Sequence, residues 1–119
     1  MKKTLVFGAS PDSYRQSYKA VKKLLKEHYD VIALGIRNGK IMDLDIETER
    51  KQFEDIHTIS MYLAPEKQIN YYDYILSLKP QRIIFNPATY NVELAELAKK
   101  AGIEVLDACT LILLSSEEY

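Results

Sequence analysis

The chain is predicted to fold as an α/β domain: three layers, with a doubly wound parallel sheet of about five strands between two layers of helices. Three observations predict this. Short apolar runs recur along the chain and stop at Gly, Asn or Pro. Between them lie stretches whose apolar residues follow helical spacing. The two alternate as repeated βαβ units, whose right-handed crossovers make the sheet parallel with helices on both faces. The 119 residues suit one domain spanning 1–119, which at this size can bury enough surface to fold without staples.

The first run, Thr4-Leu5-Val6-Phe7, is wholly apolar after its first residue and stops at Gly8, as a buried strand would. Ser13 to Gln16 has the spacing of a capping box. Tyr18, Val21, Leu24, Leu25 and Tyr29 then form one apolar stripe, with Lys19, Lys22, Lys23 and Lys26 between them. Asp30 to Ile36 predicts a second buried strand, and Asn38-Gly39 a turn. Asp43 to Asp55 is acidic and mixed; it reads as loop with a little helix, its charges a solvated face.

His57 to Leu63 predicts a third strand. Pro65 starts the next helix, with Ile69, Tyr71, Tyr72, Ile75 and Leu76 as its apolar set and Pro80 just past its end. Arg82 to Phe85 is a fourth strand ending at Asn86-Pro87. Asn91 caps a helix over Val92 to Lys100, which Gly102 stops. Ile103 to Leu106 is a fifth strand. Thr110 to Leu114 is apolar and fits either a last strand or a buried helical turn.

Composition narrows the function. Hydrophobic residues make up 47% and charged residues 28% of the chain, as in a soluble globular protein. The formal net charge of -1 provides no global field to draw in nucleic acid or an anionic membrane. The apolar run after Lys2-Lys3 is too short for a secretory leader, and no segment approaches the ~20 apolar residues of a membrane span. Cys109 is the single cysteine, so no internal disulfide can form, and a cytoplasmic location is expected. The nine tyrosines lack a basic field that would turn them toward nucleic acid. Core rims or a homodimer contact are the expected use.

In a doubly wound sheet, ligands lie beyond the carboxyl ends of the strands. This rule selects Gly8 to Ser13, Gly35 to Lys40, Leu63 to Pro65, Asn86 to Asn91 and Asp107 to Thr110. Gly8 permits a tight turn, and Ala9 and Ser10 are small enough for a ligand to approach the backbone. Free N–H groups at the following helix start favour a phosphate. Ser10 and Ser13 add hydroxyls, whereas Asp12 opposes an anion there. An ordinary strand-to-helix turn would use the same residue types. The dinucleotide fingerprint is absent, since serine stands at positions 10 and 13 where it requires glycine. After the second strand, Arg37 and Lys40 replace the acidic residue that holds a ribose diol in NAD-binding domains. They suit a phosphorylated ribose, as in NADP or coenzyme A.

Taken together, Val6-Phe7-Gly8-Ala9-Ser10, Ser17 with Ala20 and Leu24, Leu34-Gly35, Gly39-x-Ile41, Pro80-x-Arg82-Ile83-Ile84-Phe85-Asn86-Pro87, Asn91-x-Glu93-Leu94 and Ala108-Cys109-Thr110-Leu111 carry a resemblance. The chain resembles the CoA-binding domain family, small Rossmann-like proteins similar to the CoA-binding domain of succinyl-CoA synthetase α subunits. It departs from that pattern in two places. Ala88-Thr89-Tyr90 stands where the family has Gly-Thr-Glu, and the first loop is shortened around Pro11-Asp12. The resemblance implies coenzyme A or an acyl-CoA over the first loop, with Gly8, Ala9, Ser10, Ser13, Ser17, Gly35, Arg37 and Lys40 around its nucleotide. It implies a pantetheine arm toward Leu63, Ala64, Pro65, Asn86 and Pro87, with Cys109 near the cleft.

No catalytic constellation accompanies this site. Cys109 would need a base to form thiolate, and neither His28 nor His57 is placed to serve. No metal-ligand spacing is present. The expected role is a non-catalytic module that binds this nucleotide as a carrier, sensor or partner of an acyl-CoA enzyme. The alternatives are an NADP-dependent oxidoreductase and an interaction protein with a vestigial cleft.

Overall fold

The structure is a computed structural model that describes residues 2–119. Its strands are β1 (Thr4–Phe7), β2 (Val31–Leu34), β3 (Lys40–Ile41), β4 (Leu44–Glu47), β5 (Thr58–Met61), β6 (Arg82–Phe85) and β7 (Glu104–Asp107). The helices are α1 (Gln16–Lys26), α2 (Pro65–Gln68), α3 (Tyr72–Ser77), α4 (Val92–Lys100) and α5 (Thr110–Ser115), with a 3-10 turn over Ile69–Tyr71 between α2 and α3. Among the described residues the seven strands form one sheet in the order β3-β4-β2-β1-β5-β6-β7. Every pair is parallel except the β3–β4 hairpin.

The period of two along each strand divides the core between two faces. Leu5, Phe7, Ile59, Met61, Ile83 and Phe85 point to one side, where Ile75, Leu78, Leu94, Ala95 and Ala98 cover them. Val6, Ala33 and Ile84 point to the other, under Val21 and Leu24 of α1 and Leu114 of α5. The expected three-layer, doubly wound sheet is what the chain forms, and α5 resolves the last apolar stretch as helix.

The two strands beyond the expected five are β3 and β4, in the segment expected to be an acidic loop. β4 reads Leu-Asp-Ile-Glu and buries only Ile46 fully, and it pairs with Ala33 and Leu34 at the edge of β2. Four residues with one fully buried side chain carry too little periodicity to identify from sequence. Two local expectations also change. The Ser13–Gln16 capping box does not form: α1 starts at Gln16, its N-cap Arg15 makes no side-chain cap bond, and Ser13 is exposed. A turn closed by the Arg15 N–H on the Asp12 carbonyl delays the helix. The expected single helix from Pro65 is interrupted by the 3-10 turn. This tighter winding shifts the helical phase, leaving Ile69 exposed while Tyr71, Ile75 and Leu78 meet the core.

Asn86, at the end of β6, joins the sheet to α5. Its Nδ2 donates to Ser60 Oγ at 3.0 Å and to the Met61 carbonyl at 2.8 Å, and its Oδ1 accepts from the Thr110 N–H at 2.8 Å. Removing this buried amide leaves a buried donor and a buried acceptor unmade, each costing about 1–3 kcal/mol. Asn86→Ala is therefore expected to lower unfolding stability by roughly 2–4 kcal/mol, read as a lower denaturation midpoint with unchanged slope.

Candidate functional site

The chain reverses direction across the sheet at β1. From β1 it crosses through α1 to β2; from β4 it returns to β5 on β1's other side. The connections leaving β1 and β5 therefore part to opposite faces, and a crevice opens between them at the strands' carboxyl ends. The structure has a cleft of about 880 Å³ there, within the range of small-molecule sites.

Its floor is backbone. Gly8 turns the chain at φ +98, and a side chain there would meet the backbone at Tyr62 and Leu63, 3.1–3.2 Å away. The Gly8 and Ala9 N–H groups both donate to the Leu34 carbonyl at 2.9 Å. Those two donors thus hold β1 and β2 together. The N–H groups expected from the sequence to favour an anion are those at the start of α1. Its first N–H groups lack intrahelical partners by construction, and Arg15, Gln16 and Ser17 line the cleft. The positive end of the helix dipole adds to them.

The remaining wall comes from three other loops. Leu34, Gly35, Ile36 and Arg37 follow β2; Tyr62, Leu63 and Ala64 follow β5; Pro87, Ala88 and Thr89 follow β6. Thr48 and Arg50 enter from the loop after β4, and Lys67, Asn70 and Tyr71 from α2 and its 3-10 turn. Arg50 lies over the Tyr71 ring at 4.1 Å, and that ring stands edge-on to Phe7 at 5.2 Å. A favourable cation–aromatic contact thus ties the β4 loop to the opposite wall. Arg15, Arg37, Arg50 and Lys67 surround the cleft, against the carboxylate of Glu66. Asp12, just outside, pairs with Arg37 at 2.5 Å. That guanidinium holds the Asp12 carboxyl below its usual value.

Of the residues singled out from sequence, Gly8, Ala9, Ser10, Ser17, Gly35, Arg37, Leu63, Ala64 and Pro87 meet around this one cleft. Ser13, Lys40, Pro65, Asn86 and Cys109 do not line it. Ser13 stands exposed in the turn before α1. Lys40 lies in the β3–β4 hairpin, where it pairs with Asp45 at 3.1 Å. Pro65 opens α2. Asn86 is buried, and its amide is committed to Ser60, Met61 and Thr110, so it supports the wall from behind. Cys109 is half-buried at the N-cap of α5. Tyr62 lies near it, and burial raises the phenol well above its ordinary value, so it stays a neutral donor. His57 sits at the amino-terminal end of β5, away from the cleft, and burial lowers its pKa.

Sequence reading missed Tyr14, Arg15, Gln16, Thr48, Arg50, Tyr62, Glu66, Lys67, Asn70 and Tyr71. Thr48 and Arg50 had a findable signal: once β4 is recognised, they stand at its carboxyl end. The missing strand hid the loop that follows it.

Comparison with known proteins agrees with this geometry. No curated protein matches the chain. Among solved structures, an uncharacterized protein is 41% identical with a TM-score of 0.97, over 100% of this chain and 98% of that one. A Thermus thermophilus structure shares the fold at 17% identity and TM-score 0.85, over 99% of this chain and 90% of its own. A hypothetical protein from Pyrococcus horikoshii OT3 shares it at 23% and 0.84, over 97% and 82%. The family model described as the CoA binding domain matches residues 2–115, and with nearly the whole chain so covered, the protein belongs to the CoA-binding domain family.

Proposed function

We propose that the cleft holds coenzyme A or an acyl-CoA, and that the protein acts as a binding module in the cytoplasm. On this reading it carries, senses or presents the thioester to an acyl-CoA enzyme. The observation that carries the proposal is the charge arrangement of the cleft. Its floor is neutral backbone and small side chains, while four cations and the start of α1 surround it. That arrangement suits an elongated ligand bearing several phosphates. The small residues at Gly8, Ala9 and Gly35 let the pyrophosphate approach the start of α1. Leu63, Ala64 and Pro87 offer an apolar path for the pantetheine arm. Arg37 stands after β2, where a ribose phosphate would reach it.

Chemistry on the ligand is not needed to explain the site. Cys109 and Tyr62 are neighbours, but both histidines lie elsewhere: His57 at the amino-terminal end of β5, and His28 just after α1. The family model favours coenzyme A over NADP, and the serines at positions 10 and 13 agree with it.

Thermal unfolding with coenzyme A, acetyl-CoA, NADPH, NADH and ATP tests the reading. A ligand at ~100 times its dissociation constant adds about 2.7 kcal/mol, on the order of 10 °C in Tm for a domain of this size. Coenzyme A and acetyl-CoA are expected to give this shift. A shift with NADPH alone would favour the oxidoreductase reading, and none with any ligand the vestigial cleft.

Arg37→Ala is expected to weaken coenzyme A about five-fold, the scale of an exposed charge contact, and dephospho-CoA much less. Titration calorimetry with both ligands measures this. Equal weakening of the two would remove Arg37 from the ribose phosphate.

A further inference from the structure

Arg37 does not stand alone at the cleft. Its Nη2 donates to Asp12 Oδ2 at 2.5 Å and to Ser10 Oγ at 3.3 Å. The Asp12 N–H donates to the same Ser10 hydroxyl at 3.1 Å, so the carboxylate belongs to a small network built on the first loop. The loop itself has little room to move. A side chain on Gly39 would come within 2.7 Å of Pro11 Cβ, and one on Gly35 within 2.2 Å of the Ala9 carbonyl oxygen. Yet the paired side chains are accessible, at 55% for Arg37 and 30% for Asp12. A ligand can reach the pair without displacing the backbone beneath it.

We infer that Asp12 sets how strongly the cleft distinguishes a phosphorylated from an unphosphorylated ribose, by competing with the ligand for Arg37. This rests on the reading that coenzyme A binds with its ribose near Arg37. A phosphate monoester must replace the Asp12 carboxylate on the guanidinium and then lie beside that displaced negative charge. Both effects oppose it. An unphosphorylated ribose leaves the ion pair in place, and its hydroxyl can donate to the carboxylate. The discrimination produced by Arg37 is thereby reduced by a neighbour five residues after β1. Because the carboxyl is held below its usual range by Arg37, it is ionised throughout the neutral range and the competition is always present.

Titration calorimetry with coenzyme A and dephospho-CoA tests this on the wild type, Asp12→Asn, Arg37→Ala and the double variant. Asp45→Asn serves as a charge control, since it breaks the exposed Lys40–Asp45 pair outside the cleft. Asp12→Asn is expected to tighten coenzyme A by a factor of roughly two to five while dephospho-CoA stays level or weakens. The affinity ratio should therefore rise in Asp12→Asn, stay at the wild-type value in Asp45→Asn, and rise less when Asp12→Asn is added to Arg37→Ala than when it is added to the wild type. Asp12→Ser, which also removes the charge but is smaller, should raise the ratio as well; melting curves confirm that each variant is folded.

A ratio unchanged or lowered in both Asp12 variants would overturn the inference while leaving coenzyme A as the ligand. A rise of equal size in Asp45→Asn would assign the effect to net charge and overturn it too. Wild-type protein that binds neither ligand would remove the functional reading, and this inference with it.

Discussion

Backbone lies directly on backbone where the loop after β1 meets the loop after β2, and the cleft takes its form from that contact. Gly35 has no room for a side chain because the Ala9 carbonyl oxygen occupies the space, and Pro11 does the same at Gly39. Both N–H groups of Gly8 and Ala9 converge on one carbonyl, that of Leu34. The first loop therefore stays flat against the sheet instead of rising into a conventional phosphate-gripping turn. Two consequences follow. The cleft floor carries only backbone and small side chains, and α1 begins late, so that its first turn lines the opening.

The opposite wall is positioned by buried amides. Gln68 donates to the carbonyls of Leu63 and Thr89, and Asn91 donates to its Oε1. One side chain thus locks the loop after β5 to the loop after β6. Asn86 does the same one layer deeper, linking β5, β6 and the start of α5, beside a hydroxyl bond between Ser60 and Thr110. Every such group is satisfied by another protein group, the condition under which a buried polar network rigidifies a structure. Rigid walls matter here because the ligand contacts assigned to the cleft come from five separate loops.

How much of this the sequence disclosed depends on how many residues carried each signal. The long elements were legible: β1, β2, β6, α1 and α4 have continuous apolar runs or stripes, and Asn91 caps α4 through the Leu94 N–H as its identity suggests. The β3–β4 hairpin was not, because its inward set is little more than Ile41 and Ile46. The cleft's position followed from element order, and the small residues of its floor from turn chemistry. Of its cations only Arg37 did. Arg15, Arg50 and Lys67 look like ordinary surface charges in sequence, and only the convergence of distant loops makes them a set. Asn86 failed in the other direction. A conspicuous Asn-Pro at a strand end suggested ligand contact, but its neighbours use the amide fully.

Ala88 shows how the departures from the family pattern bear on the site. It lines the cleft at φ +72, in the left-handed region that favours glycine, the residue the pattern places there. Its surroundings hold this shape: the Thr89 N–H and hydroxyl both bond the Asn86 carbonyl across this turn, and Gln68 holds the Thr89 carbonyl. Asp12, in the shortened first loop, pairs with Arg37 at the rim. Both segments stand at the rim, while the backbone floor beneath them is set by the close contacts at Gly8 and Gly35.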